Sequence, residues 1–207
     1  MKTRLILLLA AFSALMPAST LITTGRVTRV IPRADLLRGR FGGLLKDNAE
    51  VVENDRIQTQ SMGRARVVLN DGSILNVGSD SMLTIRGASQ GSRAGSLELR
   101  YGRIRAIVAG QTSSSVFQVR TATAVAGVLG TTIFVEIQGQ ATHIVNISEE
   151  GSGSQVRVNN VDRRIRGEVI LMPGQGTMVM PGEPPIPPHV MGAAVVSDFL
   201  ALTEVPQ

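Results

Sequence analysis

The chain has 207 residues, a formal net charge of +5 and no cysteine, so thiolate catalysis, disulfides and cysteine-ligated zinc sites are excluded. Tryptophan is absent and only one tyrosine and five phenylalanines occur, so the core must be built from Val, Ile, Leu and Met. This length is enough for one ordinary domain with its own core.

The first twenty residues have the three-part pattern of a secretory signal peptide. Lys2 and Arg4 supply a positive start, and an apolar run from Leu5 to Leu15 follows. That run is too short for a comfortable membrane span. We expect cleavage after Ala18, which removes residues 1–18 and leaves a periplasmic or secreted protein. An uncleaved N-terminal anchor is the alternative.

Residues 25–180 are predicted to form an all-β domain. Short apolar runs are separated by Gly, Asn, Asp and Ser, and the clearest alternation is SLELRY at 96–101 and TTIFVEI at 131–137. Turn signals roughly every ten residues are typical of many short antiparallel strands. A sandwich, a barrel and a short solenoid-like stack all fit this spacing.

The last segment, residues 181–207, differs from the domain before it. It begins with the Pro-rich stretch PGEPPIPP, which cannot continue a sheet and is predicted to be an extended linker or strap. The following MGAAVVSDFLALTEV is compatible with one short C-terminal helix.

Glycine-containing turns are predicted to define the fold of the domain. Asp71-Gly72-Ser73 has the composition of a tight hairpin turn, because glycine supplies the positive φ that such a turn needs. Gly102 separates two predicted strands, and Gly151 follows the turn residues Glu149-Glu150. Adjacent carboxylates on a strand point to opposite faces, so this pair is not expected to act as a catalytic unit.

Gly130-Thr131-Thr132 raises the question of a phosphate loop or a threonine nucleophile. The segment lacks the Lys and the following helix of a phosphate loop, and an internal Thr is no N-terminal nucleophile. A glycine between an Ala/Val-rich segment and a β-branched run instead favours a bend that leads into a strand. We therefore predict a structural role for Gly130 and Thr131.

Other motifs in the chain match catalytic or metal-binding patterns only superficially. G-x-S-x-G occurs once, at 87–91, without the strand and helix that a nucleophile elbow needs. Asn70, Asp71 and Asp80 lack the spacing of a calcium loop. We expect no catalytic residue, metal ligand or cofactor, and we predict that the protein is not an enzyme.

Three further polar features are expected to be structural or solvated. His143 and His189 have no partner at ligand spacing, and the glycosylation tripeptide at Asn146 lies inside a predicted strand. The basic cluster VDRRIRGE at 161–168 contains Arg163, Arg164 and Arg166, which we expect on a solvated loop or strand face. Without aromatic residues for base stacking, the cluster does not predict nucleic-acid binding.

Three ordered blocks between about Arg56 and Gly151 resemble the FecR domain family. They are DRIQTQSMGRARVVLNDGSILNVGSDSMLTI, then GSLELRYGRIRAIV, then FQVRTATAVAGVLGTTIFVEI with the later THIVNISEEG. The segment PGQGTMVMPGEPP is similar to one that often follows in the family. The resemblance implies that residues 25–180 are a FecR-like β-domain and that Gly130-Thr131 belongs to a fold-defining turn.

The chain departs from the family pattern at two residues and in its architecture. Ala122 and Leu129 stand where the family usually has Pro and Arg. The namesake regulators carry a cytoplasmic segment that binds a sigma factor, followed by a transmembrane helix, whereas only four residues precede the apolar run here. The resemblance therefore implies a stand-alone exported domain of the same kind.

The leading functional hypothesis is an exported, non-enzymatic β-domain that binds a protein or another component of the cell envelope. One alternative is a periplasmic sensor module acting in trans on a sigma-factor and receptor signalling system. Another is an envelope hydrolase, which would need clustered carboxylates that the sequence does not provide. Carbohydrate binding ranks below these because aromatic platforms for sugar faces are scarce.

Overall fold

The computed structural model describes residues 23–86, 95–110 and 116–206, which contain 17 strands and one helix. The predicted signal peptide and the G-x-S-x-G match at 87–91 lie outside the described residues. The all-β prediction, with its short C-terminal helix, is confirmed.

Strands are numbered in the order in which they occur along the chain. The first nine are β1 (Thr23–Ile31), β2 (Ala34–Arg38), β3 (Phe41–Leu44), β4 (Glu50–Val52), β5 (Arg56–Thr59), β6 (Arg64–Leu69), β7 (Ile74–Val77), β8 (Met82–Arg86) and β9 (Ser96–Ile107). The remaining elements are β10 (Phe117–Arg120), β11 (Ala124–Val128), β12 (Thr132–Gln138), β13 (Ala141–Asn146), β14 (Val156–Asn160), β15 (Glu168–Leu171), β16 (Gln175–Val179), β17 (His189–Val190) and α1 (Ala193–Leu202).

The strands form two layers that share β9. Sheet A has the order β4-β1-β6-β7-β9-β12-β13-β16-β17 and is antiparallel throughout. Sheet B has the order β3-β2-β5-β8-β9-β10-β11-β14-β15. Its β9–β10 pair is parallel, an exception to the antiparallel pairing that the turn pattern predicted. The strand β9 is thus the central strand of both layers.

The long strand β9 changes layer at Gly102. Residues Ser96–Tyr101 pair with β8 in sheet B, and Gly102–Ile107 pair with β12 in sheet A. Gly102 has φ +83, and a Cβ at this position would overlap Ser81 Oγ and the Asp80 carbonyl oxygen. Glycine is therefore required both for the backbone conformation and for the close approach. The sequence had indicated two strands here, whereas the bend at glycine keeps one strand continuous.

A single hydrophobic core fills the space between the layers. Alternation places every second residue inward, as in β6, where Ala65, Val67 and Leu69 are buried while the residues between them are half-buried. The same cluster includes Ile57 from sheet B and Ile104 from sheet A. Because one core joins both layers, the architecture is a sandwich. Burial of each large aliphatic side chain stabilises the fold by about 1.5–3 kcal/mol.

The C-terminal segment packs against the sandwich as a strap and a helix. Residues 181–188 follow β16, where Ile186 N–H donates to the Met178 carbonyl at 3.0 Å. Phe199 of α1 stacks on Phe134 of β12, with ring centroids 4.3 Å apart and planes 13° from parallel. Arg64 Nη1 donates to the Glu204 carbonyl at 2.9 Å, beyond the end of α1. These contacts explain why Phe134 is buried although it points away from the core.

No helix within residues 23–86, 95–110 and 116–206 is long and apolar enough to cross a bilayer.

Candidate partner-binding groove

The outer face of sheet B carries a groove across its last four strands, β10, β11, β14 and β15. The strand register sets two rows of outward side chains. One row contains Gln118, Gly127, Arg157 and Ile170. The second row contains Arg120, Val125, Asn159 and Glu168. The inward neighbours Val119, Ala126 and Val158 are buried in the core, so the outward residues are positioned by strand alternation alone.

The groove consists of two connected depressions of about 430 and 400 Å³. They share Gln118, Val125 and Asn159 along their common boundary. We call their combined lining the sheet B groove. Its volume is within the usual range of ligand clefts, which is about 300–1,000 Å³.

One end of the sheet B groove exposes a group of aliphatic side chains, which we call its apolar end although Arg157 also lines it. Val116, Leu129 and Ile170 line it, and each is between 42% and 44% exposed. The floor between them is Gly127, where a Cβ would lie 3.2 Å from Val116 Cγ1. The missing side chain therefore deepens the groove at the point where the exposed aliphatic groups meet.

The other end of the groove is basic. Arg120, Arg163 and Arg166 line it, and none of them makes an ion pair with any residue that the structure describes. The loop that follows β14 carries Arg163 and Arg166 and is held by Asn160 Oδ1, which accepts the Asp162 N–H at 2.8 Å. Three unpaired guanidinium groups thus converge on one depression.

The nearby carboxylates do not neutralise this basic end. Arg164 holds Asp162 with bonds of 2.8–3.2 Å, and these hydrogen bonds lower the pKa of Asp162 to about 2. Glu168 is held by Arg157 and by Asn159 Nδ2, each at 3.2 Å. Both carboxylates are therefore already engaged with partners on their own loop or strand pair. The basic cluster at 161–168 exposes its arginines to solvent, as predicted from the sequence. Two of these arginines, Arg163 and Arg166, also line a concave surface.

The sequence-predicted turn positions do not line the groove, although Gly130 directly follows Leu129, which does. Asp71 Oδ1 accepts the Ser73 N–H at 2.8 Å, Gly72 has φ +86, and Ser73 Oγ accepts the Ala109 N–H at 3.1 Å. Gly151 also has a positive φ, +79. Among the described lining of the sheet B groove, none of the seven predicted positions occurs. Their role in defining the fold stays a prediction.

Gly130 and Thr131 occupy the turn between β11 and β12. Gly130 has φ +59, and Thr131 is 3% exposed with its Oγ1 donating to the Leu129 carbonyl at 3.0 Å. The hydroxyl is thus held by a backbone oxygen of its own turn, which is the arrangement of a structural threonine. This geometry agrees with a bend into a strand.

Thr131→Val is expected to lower the free energy of unfolding by about 1 kcal/mol, the size of one net hydrogen bond. The branched shape is kept and only the hydroxyl is lost. Thr131→Ser keeps the donor and should unfold at nearly the same urea concentration as the parent protein. Urea denaturation of the parent protein and the two variants measures the differences in the free energy of unfolding. Equal midpoints for the parent protein and Thr131→Val would show that the Thr131–Leu129 hydrogen bond does not stabilise the fold.

The polar residues considered as catalytic or metal-binding candidates are dispersed. In the described segments, no three His, Cys, Asp or Glu side chains are grouped so that they could hold a metal ion. His143 lies on β13 and His189 on β17, while Asp80 occupies a turn with φ +51. Asn146 Nδ2 donates to the carbonyls of Ser154 and Leu171 and is buried, so this amide is occupied within the fold.

Comparison with known proteins confirms the resemblance found in the sequence. A family model described as FecR protein matches residues 55–152. This segment corresponds to β5–β13, which are the five central strands of each layer, with β9 shared. The match therefore covers the middle of the sandwich, and two further strands extend each layer on either side.

Two solved structures share the fold. Both are crystal structures of a "putative anti-sigma factor" from Parabacteroides distasonis ATCC 8503, with TM-scores of 0.56 and 0.55 and 18% sequence identity. The alignments cover 70% of this chain and 63% and 64% of those chains, which is under two thirds of their length. A search of curated proteins found no match.

Proposed function

We propose that this FecR-domain protein is a non-enzymatic binding module that recognises a protein partner in cell-envelope signalling. The observation that carries the proposal is the FecR match over the central strands of both layers. The Parabacteroides structures of the same fold are described as anti-sigma factors, which supports a signalling role. The sheet B groove is the surface that we assign to the partner.

The proposal includes an exported location and one folding unit. The signal-peptide pattern of residues 1–18 supports export to the periplasm or beyond. The single core spanning both layers supports residues 25–180 as one domain, with 181–207 as the attached strap and helix. A partner reached in the envelope is consistent with both features.

The groove favours partner binding over catalysis. It combines exposed aliphatic groups with guanidinium groups that pair with no described carboxylate, while Asp162 and Glu168 are held in internal contacts. Arginine is enriched at recognition surfaces, and the buried centres of such surfaces are apolar. Acid–base chemistry would require free titratable groups placed around a reacting atom.

A photo-cross-linking amino acid at Gln118, inside the groove, is expected to trap a specific envelope protein in the native host. The matched control carries the same amino acid at Gln140, an exposed position in the β12–β13 turn of sheet A. Mass spectrometry identifies the captured protein. A membrane regulator or an outer-membrane receptor would favour the trans-acting form of the proposal.

Two results would contradict the proposal. Capture of the same proteins in equal amounts from Gln118 and Gln140 would show no preference for the groove. Capture of glycan alone at Gln118 would replace the protein partner with a wall component.

A further inference from the structure

We infer that the sheet B groove binds an extended peptide with aliphatic side chains at one end and carboxylates at the other. This inference rests on the proposed function and names the chemistry of the partner segment. It follows from the polarity of the groove, from its dimensions and from the origin of its basic residues.

Charge complementarity specifies the acidic end of the peptide. Arg120, Arg163 and Arg166 have no carboxylate partner within the described chain, and their like charges converge on one depression. Like charges brought together raise the free energy of the unoccupied surface. A ligand carboxylate relieves this repulsion, and a guanidinium fork binds a carboxylate with two parallel hydrogen bonds.

The apolar end specifies the other half of the peptide. Val116, Leu129 and Ile170 expose aliphatic groups around the side-chain-free floor at Gly127. Covering them with an aliphatic side chain removes apolar surface from water, which is favourable in proportion to the area covered.

The distance between the two ends fits a short extended segment. Val116 and Arg120 are four residues apart, and Phe117–Arg120 is extended as β10. At about 3.3 Å per residue, the two ends of the groove are separated by about 13 Å. An extended segment of four residues, two aliphatic and two acidic, spans about 10 Å between its first and last Cα atoms, and one flanking residue extends this to about 13 Å along the strand direction.

Two of the three arginines at the basic end lie outside the family match. Arg163 and Arg166 follow the matched segment 55–152, whereas Arg120 lies within it. Within the groove, β10 and β11 belong to the matched segment, whereas β14, β15 and the loop between them do not. Preference for an acidic peptide is therefore a property of this chain's flanking strands.

The test uses the ¹⁵N-labelled domain titrated with three acetylated, amidated peptides and followed by NMR. The probe is Gly-Leu-Leu-Glu-Glu-Gly. One comparison peptide replaces both Glu with Lys, and the other replaces both Leu with Ser. The probe is expected to shift amides of residues 116–129 and 155–170, and each comparison peptide should bind at least about tenfold more weakly.

Matched protein variants test the basic end. Arg163→Glu/Arg166→Glu should weaken the probe about tenfold, because attraction becomes repulsion at two exposed sites. Arg40→Glu/Lys46→Glu makes the same charge change at exposed positions outside the groove lining and should alter binding by less than about twofold.

Several outcomes would overturn the inference. Equal binding of the Glu and Lys peptides would remove the charge preference, and equal binding of the Leu and Ser peptides would reduce the groove to a bare anion site. Shifts outside the groove would place the peptide elsewhere. These failures leave the proposed function standing if Gln118 still captures an envelope protein, whereas peptide binding without such capture supports the groove chemistry and contradicts the proposed function.

Discussion

Gly102→Ala is expected to lower the free energy of unfolding by more than about 3 kcal/mol, a large part of the roughly 5–15 kcal/mol by which folded proteins are typically stable. The positive φ of +83 alone costs an L-residue roughly 1–2 kcal/mol. The added Cβ would also overlap the Asp80 carbonyl and Ser81, which are parts of the backbone turn before β8 and cannot move independently. Both layers depend on this bend, so the damage extends to both.

The matched control for this change is Gly139→Ala. Gly139 has φ +61 in the β12–β13 turn, and no described heavy atom outside its chain neighbours lies within 4 Å of a Cβ placed there. Its expected cost is only the backbone strain, about 1–2 kcal/mol. Urea melts monitored by circular dichroism measure both variants. Equal losses at the two positions would contradict the close approach at Gly102.

Arg38→Ala is expected to destabilise the protein by about 3–5 kcal/mol, because it leaves Asp55 buried without its charge partner. Asp55 is 0% exposed and accepts Arg38 Nε at 2.8 Å and Nη2 at 2.7 Å. It also accepts the Val52 N–H at 2.9 Å, so the carboxylate joins β2 to the β4–β5 turn. The side-chain hydrogen bond to Asp55 raises the pKa of Arg38 above its ordinary value, in keeping with a strong pair.

Arg26→Ala provides the control for loss of an arginine ion pair. The Arg26–Glu50 pair is 3.2 Å long, but its side chains are 53% and 57% exposed. Exposed pairs contribute about 0–1 kcal/mol, so this variant should unfold close to the parent protein. If chemical denaturation showed similar losses in the free energy of unfolding for Arg26→Ala and Arg38→Ala, the burial of Asp55 would not determine the cost of removing its arginine partner.

Alternation predicted which residues face the core, because side chains on a strand alternate with period two. Leu97 and Leu99, expected on one face together with Tyr101, are both buried, and so are Ile133 and Val135. Tyr101 is 38% exposed, because the register shifts opposite it, just before the bend at Gly102. Strand pairing was not predictable in the same way. The neighbours of β1 are β4 and β6, and such long-range pairing depends on the whole core and leaves no local signal.

The sheet B groove was missed for the same reason. The Ala/Val-rich segment before Gly130 was predicted only as the approach to a bend, whereas residues 124–128 form β11, with Val125 and Gly127 facing outward. Arg163 and Arg166 were recognised as exposed. Their convergence with Arg120 depends on the β11–β14 pairing, which joins residues far apart in the chain, such as Ala124 and Asn160. The alternation in AVAGV at 124–128, which places Val125 and Gly127 on one face, was the available sequence signal.

The central position of β9 has a consequence for biosynthesis. During synthesis the N-terminal part of the chain leaves the ribosome first. At that stage β7 and β8 each have one unpaired edge, because the second neighbour of each strand in the finished protein is β9. Apolar strands with open edges are prone to pair with other chains. That exposure ends only when Ile107 has emerged, near the middle of the sequence. Until then, the nascent chain contains β1–β8 but lacks the central strand of both layers. This interval is therefore when chaperones would be most needed.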